Sequence, residues 1–378
     1  MTGATIAAPP AAPPAGPAPK LLGLELLRFA CALGVLIFHF KHFAMTGASA
    51  PLTANPLPLN FLLAPIYRFG AYGVEIFWCI SGFIFYWKYA AIIAARAITP
   101  MRFFWLRFSR LYPLHFVTLM AVAALQPIHA ALAGQPFVYA DNGLGRFVLQ
   151  LALADQWAGA HPFSFNGPIW SVSAEVFVYF AFFLLVRTFG TMRWLIGAAV
   201  AAGLVCIWAE AVSPAVICAA YFFAGGAAAQ AWRDAARRRQ WQVAAIAVLV
   251  AGAIAAPLLD LGSNDDRALL TWLLVMIPPS LVLAARDAPW LDRGQRGITA
   301  AGNLTYSIYL LHFPLQLAFV TLALAVGFVP PVGEAWFLAA YLAASIAIGR
   351  FVFVGFEAPA QAMIRAATVA RVGRPVAV

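Results

Sequence analysis

Apolar runs close to twenty residues long recur along the chain, near positions 21–43, 71–93, 112–132, 170–188, 194–212, 214–232, 242–259, 268–285, 301–327 and 335–356. A helix of about 20 apolar residues spans the hydrocarbon core of a bilayer, and inside lipid each backbone N–H and C=O must be satisfied within its own segment. The spacing therefore predicts an all-α integral membrane protein with about ten transmembrane helices. Composition agrees, with 63% of residues hydrophobic and 10% charged, far from the mix of a water-soluble domain. An eleventh run, 147–157, has about half the length a crossing needs. Basic residues decide its status. Lys88, Arg96, Arg102, Arg107 and Arg110, then Arg187 with Arg193, Arg233 with Arg237, Arg238 and Arg239, Arg286 with Arg293 and Arg296, and Arg365 with Arg371 and Arg374 share one side only if that run does not cross. The remaining connections hold Arg68, Arg146 and Arg267. The positive-inside rule then predicts one short partial or re-entrant helix at 147–157 and both termini in the cytoplasm.

The net charge of +10 fits cytoplasmic loops held to anionic lipid, and nucleic-acid binding is not expected. Cys31, Cys79, Cys206 and Cys218 lie in apolar runs without metal-ligand spacing, so no metal is expected. Residues 1–19 form an uncharged Pro/Ala tract, expected to be a disordered cytoplasmic tail. A membrane domain over 20–362 and a basic cytoplasmic tail over 363–378 complete the expected organisation.

Ionisable groups inside such spans are costly and mark function or pairing. The first run carries Glu25, Arg28 and His39. Arg28 and His39 are eleven residues apart, about three turns and 16 Å along one face. A snorkelling arginine and an interfacial histidine fit the same pattern. In the second run Glu75 should face the bundle interior, with His39 a candidate partner, while Gly82 permits close helix approach or a kink. Arg107 and Arg110, three apart, share a helix face, and their paired guanidiniums suit polyphosphate or lipid phosphate. After the turn at Asn166-Gly167-Pro168, the residues Ser171, Glu175 and Tyr179 recur every four positions and line one face. Thr305, Tyr309, His312 and Gln316 make a polar stripe on the ninth run, expected to face the interior of Arg28 and His39. Glu357 precedes Pro359, where the last span should end, and is expected to form a salt bridge with an arginine.

In this order the motifs resemble the membrane acyltransferase 3 family, bacterial O-acyltransferases of exported polysaccharides and related glycoconjugates. The pattern covers about 20–362: an Arg, ten residues, then His at Arg28 and His39; Gly73-Val74 with Ser81-Gly82-Phe83; Arg107 and Arg110; Trp170-Ser171 with Glu175; and Tyr306-Ser307, Tyr309-Leu310 and His312. The resemblance implies transfer of an acyl group, commonly acetyl, from acyl-CoA to a hydroxyl of a sugar or glycoconjugate acceptor, in a bacterial inner membrane. It makes His39 the expected general base, with Arg28, Glu75 and Glu175 as further catalytic candidates and Glu75 or Glu175 orienting His39. Arg107 and Arg110 are expected to hold CoA, and Trp170, Ser171, Tyr309 and His312 to contact substrate. His42, expected nearer the interface, is the natural control for His39. A transporter or flippase using the same Arg, His and Glu residues as an ion pathway is the alternative from another class, weakened by the lack of an internal repeat. Within the enzyme class, a small-molecule acceptor such as a macrolide or a lipid is also open.

Overall fold

A computed structural model describes residues 21–45, 57–210, 213–259, 261 and 266–372. The expected tail at 1–19, the end of the expected basic tail at 373–378 and the loop positions 262–265 lie outside the described residues. The described residues are mostly helical, with irregular connections at 134–143 and 152–168 among them. Its helices are α1 Leu22–His39, α2 Asn60–Phe69, α3 Gly73–Lys88, α4 Ala90–Ala94, α5 Pro100–Ala133, α6 Leu144–Leu151, α7 Ile169–Phe189, α8 Arg193–Trp208, α9 Pro214–Arg233, α10 Arg238–Ala255, α11 Asp266–Ala284, α12 Pro289–Asp292, α13 Gln295–Ala325, α14 Ala335–Val352 and α15 Ala358–Val372. Among the described residues, 9 helices are long and apolar enough to cross a membrane, and α8 is a shorter apolar helix of 16 residues. The outward faces are themselves apolar: Val243, Ile246, Val250 and Ile254 of α10 are all exposed. Such a surface is stable against lipid and not against water.

Helix ends follow local chemistry. α5 starts well before the expected 112, because Thr99 caps it by accepting from the Arg102 amide at 3.2 Å and Pro100 occupies the first turn. It ends on Gly134, whose φ of +76° is left-handed. Arg107 and Arg110 therefore sit within a long continuous helix. The expected stop before Pro359 does not occur. A π-helical turn over Phe353–Glu357 joins α14 to α15, and this widened turn accommodates the proline that cannot donate an N–H. Residues 363–372, expected to be tail, continue that helix.

Close helix approach organises the bundle. A Cβ on Gly82 would lie 1.7 Å from the Phe222 carbonyl oxygen, and one on Gly225 would lie 1.8 Å from that of Cys79. Gly82 thus serves tight packing of α3 on α9, and α3 runs through it unbroken. α1 lies along α13 in the same manner, where Gly302 leaves room for the Glu25 carboxylate. The eight-residue α6, about 12 Å long, does not reach across the bundle and docks on α5, with His115 Nε2 2.8 Å from the Gln150 carbonyl. Arg146 fastens the following loop through Asp155 and the Pro162 carbonyl. With α6 short, the basic segments gather at one end: Arg187 donates to the Ile98 carbonyl, Arg233 to the Trp87 carbonyl, and Arg238 shares a recess with Arg286.

Candidate active site

Proline in a helix leaves the carbonyl four residues earlier without its N–H partner. In α13 that proline is Pro314, and the Asn166 side-chain amide reaches the Leu310 carbonyl at 3.4 Å and Thr118 Oγ1 at 3.0 Å. Asn166 thereby ties the start of α7 to α5 and α13. One step further along, the Tyr309 hydroxyl donates to the Pro168 carbonyl at 3.0 Å and lies 2.8 Å from Ser171 Oγ. Trp78 Nε1 donates to the Ser171 carbonyl at 3.2 Å. Three helices and the first turn of α7 are thus locked together around two hydroxyls.

These hydroxyls close the inner end of a cavity of about 320 Å³. Arg28, Ser81, Glu175, Tyr179, Thr305 and Tyr306 line its middle, and Lys88, Arg107, Arg110 and Arg365 its mouth. Glu175 stands beside Ser81 and Tyr179 with Arg28 and Arg107 in electrostatic reach. Arg28 pairs with Glu25 at 3.2 Å. Arg110 pairs with Glu357, which also accepts from Ser307 and Gln361. The expected salt bridge of Glu357 is present, presented to α5 by the π-helical turn.

Beyond Tyr309 lies a cluster of imidazoles. The His312 ring is 5.9 Å from Tyr309 and stacks on His39 at 4.9 Å, and His39 is 4.9 Å from His42. His39 Nδ1 is 3.0 Å from the Val35 carbonyl and His312 Nδ1 is 2.6 Å from that of Tyr309. A carbonyl only accepts, so each Nδ1 carries the proton and each Nε2 keeps its lone pair. His312 Nε2 is buried without a hydrogen-bond partner. Gln316 binds the cluster together, bonded to His42 Nδ1 at 3.1 Å and donating to the His39 carbonyl at 2.9 Å and Tyr341 at 3.3 Å. Tyr139, from the loop before α6, packs 6.3 Å from His42, and burial pushes its hydroxyl pKa up, so it stays protonated.

The four residues of the α13 stripe are all buried, two on the cavity and two in the imidazole cluster. Arg28, Arg107, Arg110, Ser171 and Glu175 come together on the cavity wall. Trp170 packs between Trp78 at 5.5 Å and Phe163 at 5.6 Å, next to the cavity and off its lining. Three placements differ from expectation. Glu75 does not line the cavity or bond His39; its charged neighbour is Asp266, because that face of α3 turns toward α9 and α11. Neither glutamate reaches His39: the Val35 carbonyl holds its Nδ1, Glu175 stands beside Ser81 and Tyr179, and Glu75 lies by Asp266. His42 is buried in the same cluster, bonded to Gln316, and so is no neutral control. Lys88, Arg365 and Tyr89 escaped the sequence reading as site residues. Lys88 and Arg365 looked like ordinary positive-inside residues, and only the i, i+4 spacing of Gln361 and Arg365 in a continuing helix hinted otherwise.

Acyltransferase MdmB of Streptomyces mycarofaciens is 29% identical over 195 residues, 50% of this chain and 46% of that protein. The match thus spans less than half of that relative. No solved structure matches the chain. The acyltransferase 3 family, described as an acyltransferase domain, matches residues 21–352, which include the imidazole cluster and all of the cavity lining except Arg365. The chain belongs to the acyltransferase 3 family.

Proposed function

We propose that the protein moves an acyl group, commonly acetyl, from acyl-CoA to a hydroxyl of a sugar or glycoconjugate acceptor. The observation that carries this reading is the continuity of one cavity from a mouth of four cations to Ser171 and Tyr309, with the His312 and His39 rings immediately beyond. Forked guanidinium donors match phosphate oxygens, so Arg107 and Arg110 suit the diphosphate of the donor. Its thioester arm would run inward past Arg28 and Glu175. The donors Ser171 and Tyr309 are then nearest the carbonyl oxygen, where negative charge develops. The residues present fit this ligand, since buried Arg107 Nε has no acceptor of its own.

His39 serves as general base with the Nε2 lone pair that its tautomer leaves free. The acceptor hydroxyl loses its proton to His39 as its oxygen bonds to the acyl carbon; the carbon–sulfur bond breaks, and the proton leaves with the CoA sulfur. The acceptor approaches from the imidazole end, where His39 is only partly buried, opposite the basic mouth. In this reading the basic mouth and both termini face the cytoplasm of a bacterial inner membrane. The chemistry is direct transfer between substrates on the two sides of Tyr309.

Purified protein in lipid nanodiscs, given acetyl-CoA and an acceptor glycan, should release the free thiol of CoA and acetylate the acceptor. A protein that neither binds acetyl-CoA nor cleaves the thioester would return the reading to a transporter. Arg107→Ala should weaken acyl-CoA binding while Arg107→Lys recovers only part, because lysine lacks the planar fork. Arg110→Ala is a poorer probe. It would leave the buried Glu357 carboxylate unpaired, at a cost of about 3–5 kcal/mol in stability.

A further inference from the structure

At the cavity mouth three cations form no salt bridge among the described residues. Lys88 of α3, Arg107 of α5 and Arg365 of α15 all line it. Among the described residues Glu25 pairs with Arg28 and Glu357 with Arg110, Glu175 stands in electrostatic reach of Arg107 from the middle of the cavity, and no carboxylate forms a salt bridge with the three. Their partners are neutral. Arg107 donates to the Tyr89 hydroxyl at 2.6 Å and lies against the Phe85 and Tyr89 rings. Arg365 Nε donates at 3.3 Å to Oγ of Ser109, which lies between Arg107 and Arg110 in sequence, and Nη2 donates to Gln361 at 3.4 Å. Lys88 and Arg365 also line an adjoining recess of about 350 Å³ with Arg110, Asn303 and Gln361. Converging like charges repel, and a polyanion offsets that repulsion.

The position of Arg365 says which part of a polyanion it meets. It is exposed at the rim, whereas Arg107 has its Nε buried deeper in the wall. In coenzyme A the diphosphate joins the thioester arm to adenosine, and the 3′-phosphate is carried on the far side, on the ribose. With the arm pointing inward, the diphosphate falls to Arg107 and Arg110 and the ribose phosphate to the rim. We propose that Arg365, aided by Lys88, binds the 3′-phosphate of coenzyme A. Helix α15, beyond the family match at 352, would then give this chain its discrimination between coenzyme A and its 3′-dephospho form. The inference rests on the acyl-CoA reading above.

Titration calorimetry on the full-length protein in phospholipid-free detergent tests it, with acetyl-CoA and 3′-dephospho-acetyl-CoA as probes. The wild type should prefer acetyl-CoA by about tenfold or more, as expected for one charge-assisted phosphate contact. Arg365→Gln should abolish the preference by weakening acetyl-CoA alone, Arg365→Lys should retain part of it, and the distant Arg238→Gln should leave it intact. Wild type that binds both probes equally, or an Arg365→Gln variant that keeps the full preference, overturns the inference and leaves the acyl-CoA reading standing. Failure of the wild type to bind either probe overturns both.

Discussion

His39 and Glu75 are both ionisable groups in apolar helices, yet the structure gives them different surroundings. His39 has a fixed tautomer, a stacked partner in His312 and a free Nε2. His39→Ala should therefore insert normally and bind acyl-CoA, but lower transfer by roughly 10² or more. Turnover should also rise with pH as the imidazole loses its proton, since only the neutral ring accepts one. Glu75 does not line the cavity, so Glu75→Gln, which keeps shape and volume, should leave turnover within about threefold of wild type. A Glu75→Gln enzyme as inactive as His39→Ala would bring Glu75 back into the chemistry. Measuring both variants in one transfer assay, normalised to folded protein, settles the assignment.

At the scale of elements, function depends on how closely helices approach. α3 carries Ser81 on the cavity side and Gly82 against α9, so the same turn lines the site and sets the helix crossing. Gly225→Ala would put a Cβ into the Cys79 carbonyl, and overpacking of this kind costs about 1–3 kcal/mol. The melting temperature in detergent should fall by several degrees. Gly145→Ala, where a new Cβ meets nothing within 4 Å, should not lower it. Equal melting temperatures for the two would mean that the α3–α9 contact tolerates separation. The π-helical turn before α15 is the other element on which the site depends, because it presents Glu357 to Arg110 and carries the chain on to Arg365.

For the whole molecule, the basic clusters gather at one end of the bundle, and the proposed orientation puts that end in the cytoplasm. A single cysteine at Arg238 should react with a membrane-impermeant maleimide only after cells are permeabilised; labelling in intact cells would reverse the orientation and the side from which CoA enters. Much of this was legible in the residues alone. Apolar length determined the helical membrane fold, lysine and arginine spacing argued that 147–157 does not cross, where the helix present is the short Leu144–Leu151, and helical periodicity determined that Thr305, Tyr309, His312 and Gln316 share a buried face. These are properties of one segment at a time, set by backbone geometry and transfer free energy. Partners across the bundle are not. That Glu75 turns from His39, that His42 joins the imidazole cluster and that Arg365 returns to the cavity mouth depend on helix rotation and crossing. Those are decided by contacts such as Gly82 on Phe222 and Gly225 on Cys79, between residues more than a hundred positions apart whose fit no local pattern records.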